Sequence, residues 1–187
     1  MGALPGWLNP FDFLILLALL GGAALGFVRG LVRMALSLLV LYVAAVVAMT
    51  AHVTAGRWIG YITSLPKTIS QGLGFLLLLA VTAIALNFVL RKTYRDTELP
   101  GIRQIDQLGG MIIGFFLATI WIGFSILVIA FILGTPFNED SALRLNLIGF
   151  FQSSNLIPVF YKFLPITLAT LKPWMPKGLP DILIFRL

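Results

Sequence analysis

Residues 13–51 read FLILLALLGGAALGFV (Phe13–Val28), then RGLVR (Arg29–Arg33), then MALSLLVLYVAAVVAMTA (Met34–Ala51). Two long apolar runs flank a short basic connection, and that arrangement decides the fold. Bilayer hydrocarbon is roughly 30 Å thick, so a helix rising about 1.5 Å per residue crosses it in about 20 apolar residues. Counted with its flanks, each run reaches that length. No water at that depth can satisfy a backbone N–H, so each run must pair its backbone internally and be helical. Thr68–Leu90 and Gln107–Leu133 repeat the pattern. The chain reads as an all-α membrane protein with four transmembrane helices, at about residues 10–28, 31–51, 68–90 and 106–133, filling one membrane domain over residues 1–134.

Composition agrees with that reading. At 59% hydrophobic and 11% charged, the chain lacks the polar residues to coat a water-soluble globule. Its +6 balance does not point to nucleic acid, because no basic cluster carries interleaved aromatics. The basic residues sit where helices leave the membrane, which makes the bilayer and its anionic lipids the expected partners. The absence of cysteine excludes disulfides, thiolate chemistry and cysteine-based metal sites.

The first apolar run is expected to be a retained helix. A secretory signal begins with a positive stretch, whereas the first basic residue here is Arg29, after the run. Asn9 can cap the helix, Pro10 suits its first position, and Asp12 lies near its positive dipole end. Arg29 and Arg33 in the first connection, with Arg91, Lys92, Arg95 and Arg103 in the third, outnumber Arg57 and Lys67 in the second. The positive-inside rule therefore places the first and third connections in the cytoplasm and both termini outside. Trp7, Trp58 and Trp174 fall on the outer side, as interfacial anchors would.

Packing is encoded in small residues. Ala18, Gly22, Gly26 and Gly30 recur every four residues in the first helix, and Gly110, Gly114 and Ala118 do so in the fourth. Such ridges let helix backbones approach where lipid offers little hydrophobic drive for association. Packing within one bundle is the plain reading, and homo-oligomerisation the sharper one. Beyond Leu133, Gly134 and Pro136 end the fourth helix and Asn138-Glu139-Asp140-Ser141 resembles a new cap. Ser141–Phe151 and Asn155–Leu171 read as interfacial amphipathic helices on the outer leaflet, followed by a Pro-rich tail, so that residues 135–187 form an outer-face region.

Few residues could carry chemistry. His52 is the sole histidine and has no carboxylate near it in sequence, so it reads as an interfacial or packing residue. No Gly-rich phosphate loop, nucleophile elbow or paired-histidine zinc motif occurs, and neither an enzyme nor a cofactor is expected. Asn87 is expected to bond across to a neighbouring helix. Arg29 and Arg33 stand one turn apart, and Asp106 opens the fourth helix on the same side. With Arg103 they form a cytoplasmic rim of charges, a topology anchor and salt bridge or a polar gate.

Three segments resemble one family. Leu8-Asn9-Pro10-Phe11-Asp12 followed by Gly26-Phe27-Val28-Arg29-Gly30-Leu31-Val32-Arg33-Met34-Ala35-Leu36-Ser37-Leu38 resembles the opening of the colicin V production protein family (CvpA). Ile105-Asp106-Gln107-Leu108-Gly109-Gly110 is similar to its segment leading the fourth helix, and Ser153-Ser154-Asn155-Leu156-Ile157-Pro158 to one that follows it. The likeness covers about residues 8–165. It implies a multi-pass protein of the bacterial inner membrane, linked to toxin production or export and to envelope homeostasis, with secretion or envelope proteins as partners. Met34 stands where the family often has Glu, Gln107 where Arg is common, and Leu117 near another frequent Arg. Two function classes follow: a non-catalytic membrane factor, or a small oligomeric transporter or channel.

Overall fold

The computed structural model describes residues 9–93, 103–134, 142–171 and 173. They form α1 (Pro10–Arg29), α2 (Leu31–Thr63), α3 (Lys67–Thr93), α4 (Arg103–Gly134), α5 (Ala142–Gln152) and α6 (Ile157–Leu171). Helices α1 to α4 are each long and apolar enough to cross a membrane. The chain is a multi-pass, all-α membrane protein. The Asn138–Ser141 cap, the tail beyond Pro173, Trp7 and Trp174 lie outside the described residues.

Local chemistry sets the helix ends. The Asn9 side chain accepts from the Phe11 N–H at 3.1 Å, and Pro10 occupies the first turn. Gly30 ends α1 and starts α2 in a single residue, at φ 82 and ψ 167. A side chain there would be strained, and glycine alone adopts it freely. Helix α2 runs on past Ala51 to Thr63 because no proline interrupts residues 52–63, and Gly56 and Gly60 keep its packing face small. A Cβ on Gly56 would meet the Gln71 Cα at 2.7 Å, and one on Gly74 would meet the Gly56 nitrogen at the same distance. Ser64, left-handed at φ 54, closes α2 with its N–H on the Gly60 carbonyl at 2.9 Å.

Helix α4 touches every other helix. α1 lies antiparallel along one side of it, and the α2–α3 hairpin along another. The larger core joins Ala44 and Ala48 of α2, Phe75 and Leu79 of α3, and Phe124 and Val128 of α4. Phe75 and Phe124 meet edge to face, with centroids 5.8 Å apart. A second cluster, around Ile15, Ala130, Phe151 and Phe160, joins α1, α4, α5 and α6 at the end of the bundle that carries Asp12.

The α5–α6 pair is amphipathic, as the sequence suggests, and α6 turns its apolar stripe onto the bundle. α5 stays at the Asp12 end, where the Arg144 guanidinium donates to the Leu133 carbonyl at the end of α4 (2.9 Å). The chain then bends by 79°, and α6 runs back along α4. Ile157, Phe160, Leu164, Leu168 and Leu171 form one buried stripe. Gly123 of α4 makes room for it, since a Cβ there would meet the Leu164 Cδ2 at 3.2 Å. Leu164, Leu168 and Leu171 join the same core as Val40 and Leu41, deep within the bundle. A continuous apolar stripe gains more from that packing than from a lipid surface, because it fills space between protein side chains.

Candidate functional site

Among so many apolar residues, the polar side chains that the fold buries are the ones with work to do. Asp12 is 4% exposed, although it sits in the first turn of α1. Its carboxylate accepts from the Ser154 hydroxyl (2.5 Å) and from the backbone N–H groups of Asn155 and Leu156 (3.1 Å each). The Ser154 Oγ in turn accepts from the Ile157 N–H at 3.2 Å. Those donors open α6, so an acid on α1 caps a helix that begins some 140 residues later. Asn9 completes the connection: its amide donates to the Phe150 carbonyl and to the Ser153 hydroxyl. Sequence reasoning assigned Asn9 and Asp12 to the start of α1 alone. The serine two residues before Leu156 and three before Ile157 was the available signal of a helix start, but nothing in it named the partner.

A parallel arrangement occupies the opposite end. Gly30 has no side chain to cap α2, and the Asp106 Oδ1 does so from α4, accepting from the Leu31 N–H at 2.9 Å. The other Asp106 oxygen fills the space where a Gly30 Cβ would stand. Gly30 and Asp106 are therefore one fitted unit. Arg29 and Arg33 are half-buried at this same end, which brings three of the four rim charges together; the Arg103 side chain lies outside the described residues. Replacing Asp106 by Ala should cost about 1 kcal/mol, a typical N-cap loss, whereas Asn should retain most of it. Thermal unfolding of the purified protein in detergent measures the difference, and an unchanged Asp106→Ala midpoint would refute the cap.

Between the ends, Gly22 and Gly26 of α1 meet Gly110, Gly114 and Ala118 of α4. A Cβ on Gly26 would overlap the Gly110 carbonyl, and one on Gly22 would stand 2.9 Å from the Gly114 carbonyl oxygen. Ser37 of α2 donates to the Asn87 Oδ1 of α3 at 2.9 Å, and the Asn87 amide donates to the Ala83 carbonyl. His52, 8% exposed, holds its Nδ1 2.7 Å from the Met49 carbonyl within its own helix. Among the described residues, no three His, Asp or Glu side chains gather as a metal site would need. What this set can do is satisfy helix ends and fasten helices to one another.

A family model described as Colicin V production protein matches residues 11–165. No curated protein and no solved structure matches the chain. The matched span runs from the turn that holds Asp12, through Gly30 and Asp106, to Pro165 in α6, and so takes in both trans-capped helix starts. The chain belongs to the colicin V production protein family.

Proposed function

We propose that this protein is a non-catalytic factor of the bacterial inner membrane that assists toxin production or export and helps maintain the envelope, with anionic lipids and secretion or envelope proteins as its partners. The observation that supports this reading is how its buried and half-buried polar groups are used. Asp12, Asp106, Asn9, Ser154 and Arg144 hold helix ends, and Ser37 and Asn87 tie α2 to α3. A toxin-producing host lacking the protein should secrete less toxin and show envelope stress, and the intact chain should restore both. Full secretion without the protein would refute the reading.

One observation favours the transporter or channel reading. The 79° bend between α5 and α6 makes a broken span or a re-entrant loop, and transporters commonly build binding sites from such discontinuous helices. Solute flux across vesicles containing the purified protein, against vesicles carrying a heat-inactivated sample, separates the two classes.

The N-terminus is outside and the first and third connections are cytoplasmic. The C-terminus is read as outside as well, since Lys172, Lys177 and Arg186 lie too far past the fourth helix to weigh much in the count. A cytoplasm-active reporter should therefore work after Thr97, and an export-active one after Lys177. Export activity at Thr97 would invert the whole orientation. Cytoplasmic activity at Lys177 alone would move the tail to the inner face.

A further inference from the structure

The last three turns of α2 carry a surface unlike the rest of the bundle. Leu31 starts α2 between Arg29 and Arg33 and beside Asp106, at one headgroup layer. Thr54–Tyr61 lie roughly 35–45 Å along the helix from there, or about 32–42 Å at an ordinary tilt of about 20°. A bilayer with its headgroups is about 40–45 Å thick, so these residues stand in the opposite headgroup layer, at the Asp12 end. Gly56 and Gly60 turn toward Gln71 and Ser70 of α3. Thr54, Arg57, Trp58 and Tyr61, spaced i, i+3, i+4 and i+7, share the face turned away from α3. There they line a shallow concavity of about 480 Å³.

Each of the four brings a donor: the Arg57 guanidinium, the Thr54 and Tyr61 hydroxyls and the Trp58 indole N–H. Among the described residues, none of these side chains is hydrogen-bonded or ion-paired. Thr50 and Thr63 of the same helix, by contrast, bond back to the carbonyls of Val46 and Ile59. The described acid at this end, Asp12, is taken by Ser154, Asn155 and Leu156 and does not compete for Arg57. Trp58 is 68% exposed and Tyr61 89%, so both are open to a ligand. Unused donors around one guanidinium suit an anion made of acceptors, and the planar fork of arginine matches phosphate. In a headgroup layer that acceptor is the lipid phosphodiester, and Trp and Tyr are the side chains that settle at its depth. We propose that Thr54, Arg57, Trp58 and Tyr61 bind the phosphodiester of one phospholipid in the leaflet at the Asp12 end, with Arg57 on the phosphate oxygens. This gives the lipid partnership proposed above one stated site and rests on it. Lipid retention is read on the purified chain and toxin secretion in the host, so either can fail alone.

Native mass spectrometry of the full chain, titrated in detergent with phosphatidylglycerol, tests this directly. Arg57→Gln should weaken the binding of one phosphatidylglycerol per chain about tenfold, the effect of losing one charge-assisted contact. Tyr61→Phe should weaken the same lipid about threefold. Lys67→Gln removes an equal charge from α3, across α2 from the site, and should leave retention unchanged. All three positions are exposed, and circular dichroism confirms that each variant stays helical. Diacylglycerol with the same acyl chains keeps the tails but lacks the phosphate, and should not be retained. Soluble glycerol phosphate at equal concentration should not displace the lipid. Retention indifferent to Arg57→Gln, an equal loss with Lys67→Gln, retained diacylglycerol, or displacement by glycerol phosphate would each overturn the proposal. So would a dimer, in place of a lipid adduct, that Arg57→Gln dissolves.

Discussion

Gly22→Leu combined with Gly26→Leu is expected to take the bundle apart. These positions face the α4 backbone itself: the Gly114 carbonyl stands opposite Gly22, and the Gly110 carbonyl opposite Gly26. A flexible side chain could swing aside, but a backbone oxygen in a helix cannot. The two helices would have to separate, and with them would go the close contacts that hold α1, which touches α2 only slightly. Overpacking at one rigid site costs about 1–3 kcal/mol, so two adjacent ones should cost about 3 kcal/mol or more. The measurements are thermal unfolding in detergent and cross-linking between cysteines introduced into α1 and α4, which the absence of native cysteine makes straightforward. Gly21→Leu is the matched control, because nothing stands near its would-be Cβ. A double variant as stable as that control would mean that α1 does not pack on α4.

The second large effect is expected at Asp12. Its carboxylate is the acceptor for one hydroxyl and two backbone N–H groups at the start of α6, in a site only 4% exposed. Truncation to Ala leaves those donors buried without an acceptor, and each such donor costs about 1–3 kcal/mol. Partial rearrangement around Ser154 recovers some of this, so Asp12→Ala should destabilise by about 2–4 kcal/mol. Asp12→Asn should lose less, since one oxygen remains while its NH2 group faces donors. Ser154→Ala should lose least, because the two backbone N–H groups keep the carboxylate. The loss should be local first. Proteolysis of the Ser153–Leu156 turn should accelerate in the order Ser154→Ala, Asp12→Asn, Asp12→Ala, and a turn equally resistant in all three would show that the acid does not hold it.

The four spans were legible because each is a local property: enough apolar residues in a row, ended by charge, glycine or proline. Helix α2 was read short at Ala51 because His52 and the polar residues after it look like an exit from lipid. What carries it to Thr63 is contact with α3 through Gly56 and Gly74, and no local pattern reports that. The stripe of α6 was legible as amphipathic, but an apolar stripe states only that something covers it. Gly123, the residue that lets α4 be that cover, is one glycine among many. The candidate site divides the same way. Asn9 as the cap of α1 follows from neighbours in sequence, whereas Asp12 with Ser154 and Asp106 with Leu31 are pairings across 142 and 75 residues. Cap chemistry in the sequence names the donor or the acceptor and leaves its counterpart to the fold.

The α1–α4 contact also sets a timetable for biosynthesis. Gly26 finds Gly110 roughly 80 residues later in the chain, and at about 5–20 residues per second the ribosome takes on the order of 4–16 s to supply it. Throughout that interval α1 is in the membrane with its glycine face bare, and the α2–α3 hairpin can close without it. A pause or truncation before α4 would leave a helix whose backbone-exposing ridge suits any small-residue partner nearby. Membrane quality control acting on this protein should therefore recognise α1, and nascent chains ending before Gly110 should turn over faster than those that extend past Ala118.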